Sequence, residues 1–455
     1  MNSLTLIQFT YNRFAIPLGA LYLAYGLEKA NIQFDLKICP VYSKLGVCTK
    51  ADIDKLYSYL LNSRDIVAIG CWSDALPVVL VALAKIKRKF PGKMIILGGL
   101  APAEFAEEIM GKFPFIDFVI KGCGTASLPA LVKKIIKQEK IFNDIEGLVY
   151  RSGRHIISNN YDRFYSNSII PDIFPYDRSK NIGSYRVFYI RTSFGCSYRC
   201  TFCQLPCLSR GGVAYRDIND VIQEIKLIKK IKKSKRFMID IIDEAFILNR
   251  ARVIKFCKLL RRENLNPGWH CYGRIDRVDK ELLKIMSESG CQGIYFGVES
   301  GSNRILRKIK KGFTIEKAIE ILLLSKRYIK GVAVSFMYLF PFETLNDFRE
   351  TLFFKKYLNL NKLVVQLHQL NPVKNSEIYS KYKGKLCLFP KKDSSFHVNL
   401  EHMPKECIKL IRDNPEIFSF YYLYKFVNLN EILRYKKNEE DIRKLTLSNK
   451  NCGVI

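Results

Sequence analysis

Three cysteines, Cys196, Cys200 and Cys203, stand in SFGCSYRCTFCQLP (193–206) at C-x3-C-x2-C spacing. A structural zinc site closes with four protein ligands, and a stable iron–sulfur cluster takes four thiolates. Three thiolates leave one metal corner open for something else to fill. Cys207 follows closely, so zinc held by four cysteines is an alternative reading of this segment. The rest of the chain has to say what the open corner receives.

Composition narrows the field. A chain of 455 residues predicts about two or three domains, and 48% hydrophobic with 26% charged residues predicts full cores. The fourteen cysteines are spread out with no secretory signature, which argues against a disulfide framework. The run FAIPLGALYLAYGL (14–27) is interrupted by Pro17 and closed by Glu28-Lys29, so it reads as an amphipathic helix rather than a signal-peptide core. No apolar run reaches the length of a membrane span, and a cytoplasmic location is expected. The net charge of +31 hints at an acidic partner. The lysines, however, are scattered over helix ends and faces, and no basic stripe is interleaved with aromatics, so nucleic acid is not the expected substrate.

The first 150 residues alternate strands and helices. Apolar runs at 3–9, 34–41, 65–72, 93–102 and 115–124 read as strands. Helical patterns fill 17–32, 51–63, 76–91, 103–113 and 126–138. This is a doubly wound α/β pattern, whose ligand lies beyond the carboxyl ends of the strands. Gly70, Gly98, Gly99, Gly122 and Gly124 all follow strands there. They serve as tight turns or, together, as a backbone-lined crevice. No G-x-G-x-x-G follows the first strand, which disfavours a dinucleotide.

PLGALYLAYGLEKANIQFDL, IILGGLAP, FIDFVIKGCGTASLPALV and EGLVYRSGRHIISN (146–159) together resemble the cobalamin-binding domain fused to radical S-adenosylmethionine (SAM) enzymes. The resemblance covers residues 1–160 and implies that those five glycines line a cobalamin site. Two features depart from it. No Asp-x-His-x-x-Gly follows the first strand, so no histidine ligand to cobalt is supplied there. The family's Gly-Glu-Gly-Glu turn reads Gly122-Cys123-Gly124-Thr125. A degenerate domain kept as scaffold is the alternative.

After a turn-rich linker (161–184), YRVFYIRTSFGC runs as a strand into the cysteine loop. Five further strand patterns follow at 235–249, 267–276, 293–302, 331–342 and 363–373, separated by helical patterns. Six βα units read as an open, partial version of the parallel βα barrel, with its site at strand C-termini. Asp243, Arg274, Glu299 and Ser300 close these strands. Any one of them is equally a helix cap; four on one rim point to a site.

C-x-F-C with Phe202, MIDIIDEAFILN, and YGRIDRVDKELLKIMSESGCQGIYFGVESGSNRILRKIKKGFT resemble radical SAM enzymes. The resemblance implies that Cys196, Cys200 and Cys203 hold three irons of a [4Fe–4S] cluster whose fourth iron takes SAM. It also implies that Phe202, Asp243, Arg274, Glu299 and Ser300 lie around the SAM. Where relatives carry Gly-Leu-Pro-Gly-Glu-Thr, this chain has LFPFET (339–344), with Leu339 and Phe342 replacing the glycines. Residues 375–455 read as a mainly helical extension, in which FSFYYLYKF (418–426) forms an aromatic helical stripe packed on the barrel or a lid over it.

The implied organisation is a cobalamin-binding-like domain (1–160), a linker (161–184), a partial (βα)6 barrel (185–374) and the extension (375–455). The implied activity is reductive cleavage of SAM to a 5′-deoxyadenosyl radical and cobalamin-dependent methyl transfer to an unactivated carbon of a small molecule or peptide. An electron donor such as flavodoxin or ferredoxin would feed it. One rival is radical cyclisation or rearrangement without methyl transfer, favoured by the altered Gly122–Thr125 turn. The other is a non-catalytic cobalamin- or iron-sensing protein.

Overall fold

Continuous apolar runs such as IVAIG bury on both faces, and this is what parallel sheets require. The computed structural model describes residues 4–10, 18–40, 49–161, 186–209, 212–233, 237–388, 400 and 403–438. Its first sheet holds β1 (Leu4–Thr10), β2 (Phe34–Pro40), β3 (Ile66–Gly70), β4 (Met94–Gly98), β5 (Phe118–Ile120), β6 (Leu148–Ser152) and β7 (His155–Ser158). The order is β2-β1-β3-β4-β5-β6-β7. The first five strands are parallel, and β6 and β7 add an antiparallel hairpin at one edge. Strand order reverses at β1/β3, which opens a crevice at the carboxyl ends. The helices Leu18–Lys29 and Gly124–Ile136 flank it in close contact. A Cβ on Gly26 would lie 2.1 Å from the Thr125 carbonyl oxygen, so only glycine allows that approach.

The second sheet consists of β8 (Val187–Ile190), β11 (Met238–Ile241), β12 (Gly268–Gly273), β13 (Cys291–Glu299), β14 (Gly331–Tyr338) and β15 (Val364–Gln369). The numbers between belong to a two-stranded antiparallel ribbon, β9 (Ser193–Gly195) with β10 (Val213–Tyr215). All six strands run parallel in the order β15-β14-β13-β12-β11-β8. β8 and β15 remain edges, so the barrel is open. The helices cover one face. There Phe246, Phe256 and Trp269 meet edge to face at centroid distances of 5.4, 5.5 and 5.8 Å, each pair adding about 1 kcal/mol beyond burial.

Two expectations need correction. The single helix read at 103–113 is two, Leu100–Glu104 and Ala106–Lys112, broken at Phe105. The aromatic run at 418–426 is not a helix. It is a 3-10 turn (Ser419–Tyr421) followed by β17 (Tyr422–Tyr424), which pairs antiparallel with β16 (Leu386–Leu388). Its side chains are apolar all round, so no 3.6-residue period distinguishes helix from strand. Nor does the run pack on the barrel alone. Phe418 and Tyr421 enter the core of the first sheet, and Tyr424 that of the second. The Tyr421 hydroxyl donates to the Asp74 carbonyl (2.8 Å), and Lys374 pairs with Glu108. The extension clasps both sheets. The linker expected at 161–184 lies outside the described residues apart from Tyr161. Among the described residues no helix is long and apolar enough to cross a membrane.

Candidate active site

The cysteine loop leaves the sheet at the carboxyl end of β8 and is clamped by the β9–β10 ribbon. Asp243 and Glu244 set its geometry. The buried Asp243 carboxylate accepts from the Thr192 amide, the Thr192 hydroxyl and the Ser193 hydroxyl, each at 2.6 Å. Burial pushes its pKa up against the pull of those hydrogen bonds. Glu244 pairs with Arg191 (2.8 Å) and accepts from the Gly195 amide (3.1 Å), just ahead of Cys196. Further along, the Thr201 amide donates to the Ile309 carbonyl (3.2 Å), and the Ile378 amide donates to the Thr201 carbonyl (2.9 Å). Three chain segments thus fix one loop.

On that loop Cys200 is buried, while Cys196 and Cys203 are half-buried. Burial raises the Cys196 thiol and pushes Cys203 up to about 11. Such thiols stay protonated until a metal displaces the proton. Arg274 opposes this at Cys196, and its Nη1 lies 3.7 Å from Cys200 Sγ. The Leu205 amide donates to Cys203 Sγ (3.4 Å). Among the described residues no three His, Cys, Asp or Glu side chains converge on one ion position. A four-iron cluster needs no such point, because each thiolate takes a different iron.

Of the five rim residues read from sequence, three join the cysteines. Arg274 stacks its guanidinium 3.4 Å from the Tyr198 ring centroid and pairs with Asp276 at 3.0 Å. Glu299 sits at the end of β13 with φ of 78°, a left-handed conformation uncommon for a non-glycine residue. It pairs with Lys311 at 3.3 Å and acts electrostatically on Cys203. Phe202 packs on the barrel core, with the Lys311 ammonium 5.9 Å from its ring. The other two, Asp243 and Ser300, bond to neighbouring backbone and hydroxyl groups. Asp243 is consumed by the turn it ties. Ser300 is fully buried, 3.3 Å from the Thr351 hydroxyl, and accepts from the Ser302 amide at 3.1 Å. Lys311, Tyr198 and Glu244 were missed as contributors. Lys311 was legible only as the lysine before Gly312, and Tyr198 only as a residue inside the cysteine spacing.

The LFPFET turn lies along the same rim. Leu339 takes φ of 68° and is buried. Glu343 is fully buried; its Oε2 accepts from the Leu339 amide (2.6 Å) and the Phe340 amide (3.3 Å), while Oε1 has no partner among the described residues. Burial pushes its pKa up to about 8. Phe342 stacks on Phe340 at 5.9 Å.

A second site lies at the first sheet. Gly70, Gly98, Gly99, Gly122 and Gly124 all line one crevice of about 180 Å³, open to solvent at the strand ends. The glycines are needed for space as well as for turns. A Cβ on Gly99 (φ 96°) would stand 2.6 Å from the Cys71 carbonyl oxygen. One on Gly70 would meet Gln8 at 2.7 Å, and one on Gly122 (φ 76°) would overlap the Tyr161 ring. The Cys123 amide donates to Tyr161 Oη (3.2 Å), and Cys123 Sγ lies 2.9 Å from the Thr125 hydroxyl. The altered turn is therefore ordered by its own contacts.

Comparison with known proteins agrees with this geometry. Residues 190–354 match the model of the radical SAM superfamily. An uncharacterized methyltransferase of Pyrococcus horikoshii is 28% identical over 353 residues, spanning 76% of this chain and 74% of that protein. Among solved structures, the radical SAM methyltransferase TsrM from Kitasatospora setae, with cobalamin and a [4Fe-4S] cluster bound, gives a TM-score of 0.69 at 15% identity, covering 90% of this chain and 84% of that one. OxsB, a cobalamin-dependent S-adenosylmethionine radical enzyme, gives 0.64 at 18% identity, covering 93% and 64%. Residues 190–354 are a radical SAM domain, and the chain is a radical SAM enzyme. The structural likeness extends well beyond that domain, over 90% of the chain for TsrM and 93% for OxsB.

Proposed function

We propose that this chain is a cobalamin-dependent radical SAM methyltransferase acting on a small molecule or peptide, with Cys196, Cys200 and Cys203 as the cluster ligands. The observation that carries the reading is the pairing of two prepared sites in one fold. One is a triple-cysteine loop held from three sides; the other is a crevice at the strand ends lined by five glycines. The donor set suits a [4Fe–4S] cluster with one open corner, and the glycine-lined crevice would receive part of a cobalamin. When bound, the cluster supplies the electron that cleaves SAM, and cobalamin supplies a methyl carrier.

The chain's own residues do the positioning. Asp243 and Glu244 hold the loop, and Arg274 places positive charge beside Cys200. Glu299 offers a carboxylate and Lys311 an ammonium beside Cys203 and Phe202, as a zwitterionic ligand such as the methionine end of SAM requires. The residues divide as 1–160 for cobalamin, 185–374 for the radical chemistry and 375–455 as the clasp, with flavodoxin or ferredoxin as the electron donor. Anaerobic reconstitution with iron, sulfide and hydroxocobalamin tests this. Retained cobalamin together with 5′-deoxyadenosine formation from SAM supports it; failure to form any cluster refutes it. A second reading, SAM cleavage for rearrangement without methyl transfer, is favoured by Cys123 and Thr125 in the crevice turn and by the Tyr161 ring against Gly122. SAM cleavage without retained cobalamin would select it.

A further inference from the structure

Side chains alternate between the two faces of a strand. In the second sheet one set, including Ile239, Trp269, Ile294 and Val334, is buried against the helices. The other set faces the concave side of the open barrel and is strongly biased. Asp240 stands in register with His270. Tyr272 stands opposite Tyr295, their rings 5.5 Å apart. The Tyr295 hydroxyl donates to Gln366 Oε1 (2.9 Å), which lies 3.0 Å from His368 Nε2. Gly293 faces His270, where a Cβ would lie 2.9 Å from the imidazole.

Charge sharpens the picture. The chain carries 74 lysines and arginines, yet none occupies an inward position within the six strands. The rim cations are already matched: Arg191 by Glu244, Arg274 by Asp276 and Lys311 by Glu299. Burial holds the His368 imidazole below its ordinary value against the pull of Glu299. The inward carboxylate, Asp240, is half-buried beside the His270 imidazole, the one electrostatic neighbour recorded for it among the described residues. Tyr272 is 40% exposed in the middle of the sheet, an aromatic face left open. A phosphate or carboxylate finds no lysine or arginine on these strands, only the His270 and His368 imidazoles. An aromatic ring finds two tyrosines to stack on, and an amine finds both a carboxylate and ring faces. Two strand positions, roughly 7 Å, separate the Asp240 level from the tyrosine level, the span of a ring with a short amine-bearing arm.

We propose that the concave face binds a substrate joining an aromatic ring to an amine, with Asp240 taking the amine and Tyr272 and Tyr295 the ring, so that the ring lies between this anchor and the cysteine rim. The proposal rests on the methyltransferase reading for its reaction but not for its binding. Equilibrium dialysis of the cluster-reconstituted enzyme under anaerobic conditions, against 2-phenylethylamine, 2-phenylethanol and phenylacetate, varies charge on a constant ring. The amine should bind about tenfold tighter than the alcohol, with phenylacetate weakest. Asp240→Asn should bring the amine down to the alcohol's affinity and leave the alcohol unchanged, which also shows that the variant is folded. Tyr295→Leu should weaken all three. Phenylacetate binding as tightly as the amine, an unchanged amine-to-alcohol ratio in Asp240→Asn, or no amine retained up to about 10 mM would each overturn the proposal. SAM cleavage by the same wild-type preparation reports separately on the parent reading.

Discussion

Replacing Glu343 by glutamine should make the protein more stable above neutral pH, and by an amount that grows with pH. The carboxyl is fully buried, with one oxygen accepting two backbone amides and the other unpartnered among the described residues. Burial raises its pKa from an ordinary 4.5 to about 8. In the unfolded chain the group ionises near its ordinary value. The stability it confers is therefore complete below about pH 4.5 and is lost as pH rises toward 8. At 1.36 kcal/mol per unit, the loss is about 5 kcal/mol once pH exceeds the folded value. Glutamine keeps the acceptor for the Leu339 amide and carries no charge at any pH. Between pH 6 and pH 8 the stability difference should shift by about 2 kcal/mol in favour of Glu343→Gln. Urea unfolding of both proteins at several pH values measures this, and other titrating groups cancel in the difference. A difference that does not change with pH would refute the reasoning: Glu343 would then be solvated, or paired at its free oxygen.

The remaining expectations follow from single contacts. Alanine at Cys196, Cys200 or Cys203 should each abolish cluster assembly, read as lost iron and sulfide and a bleached visible band, whereas Cys207→Ala should retain them. Asp243→Ala leaves three buried donors without their acceptor and should cost about 3 kcal/mol or more; it should also lower iron content by releasing the loop, seen by iron analysis beside urea unfolding. Gly99→Ala places a methyl against the Cys71 backbone at positive φ; about 2 kcal/mol of stability should go, together with cobalamin retention in a gel-filtration assay. Tyr421→Phe removes a buried hydrogen bond between the extension and the first sheet and should cost about 1 kcal/mol in urea unfolding without altering SAM cleavage.

The elements that were legible from residue order are those governed by short-range rules. Apolar runs of strand length, helical periods between them and glycines just past strand ends are local patterns, and all five parallel strands of the first sheet and all six of the second stand where those patterns placed them. The cysteine spacing is local too, so three thiols on one loop could be read directly. The aromatic run at 418–426 failed because its side chains show no period; its strand form is decided by pairing with Leu386–Leu388, 34 to 38 residues earlier.

What each rim residue touches depends on contacts between distant parts of the chain. Asp243 and Glu299 look alike in sequence, both acidic and both closing an apolar strand. Asp243 folds back on Thr192 and Ser193 and becomes a strut, whereas Glu299 reaches Lys311 beside the cysteines. Arg274 meets Cys200 across 74 positions. The five glycines belong to three loops that only the strand order brings to one crevice. The amino-acid order thus determined the elements and the thiol set, because those depend on neighbours along the chain. Only the tertiary structure decided which polar groups are spent on the fold and which remain for a ligand, because that depends on what burial and strand order bring together.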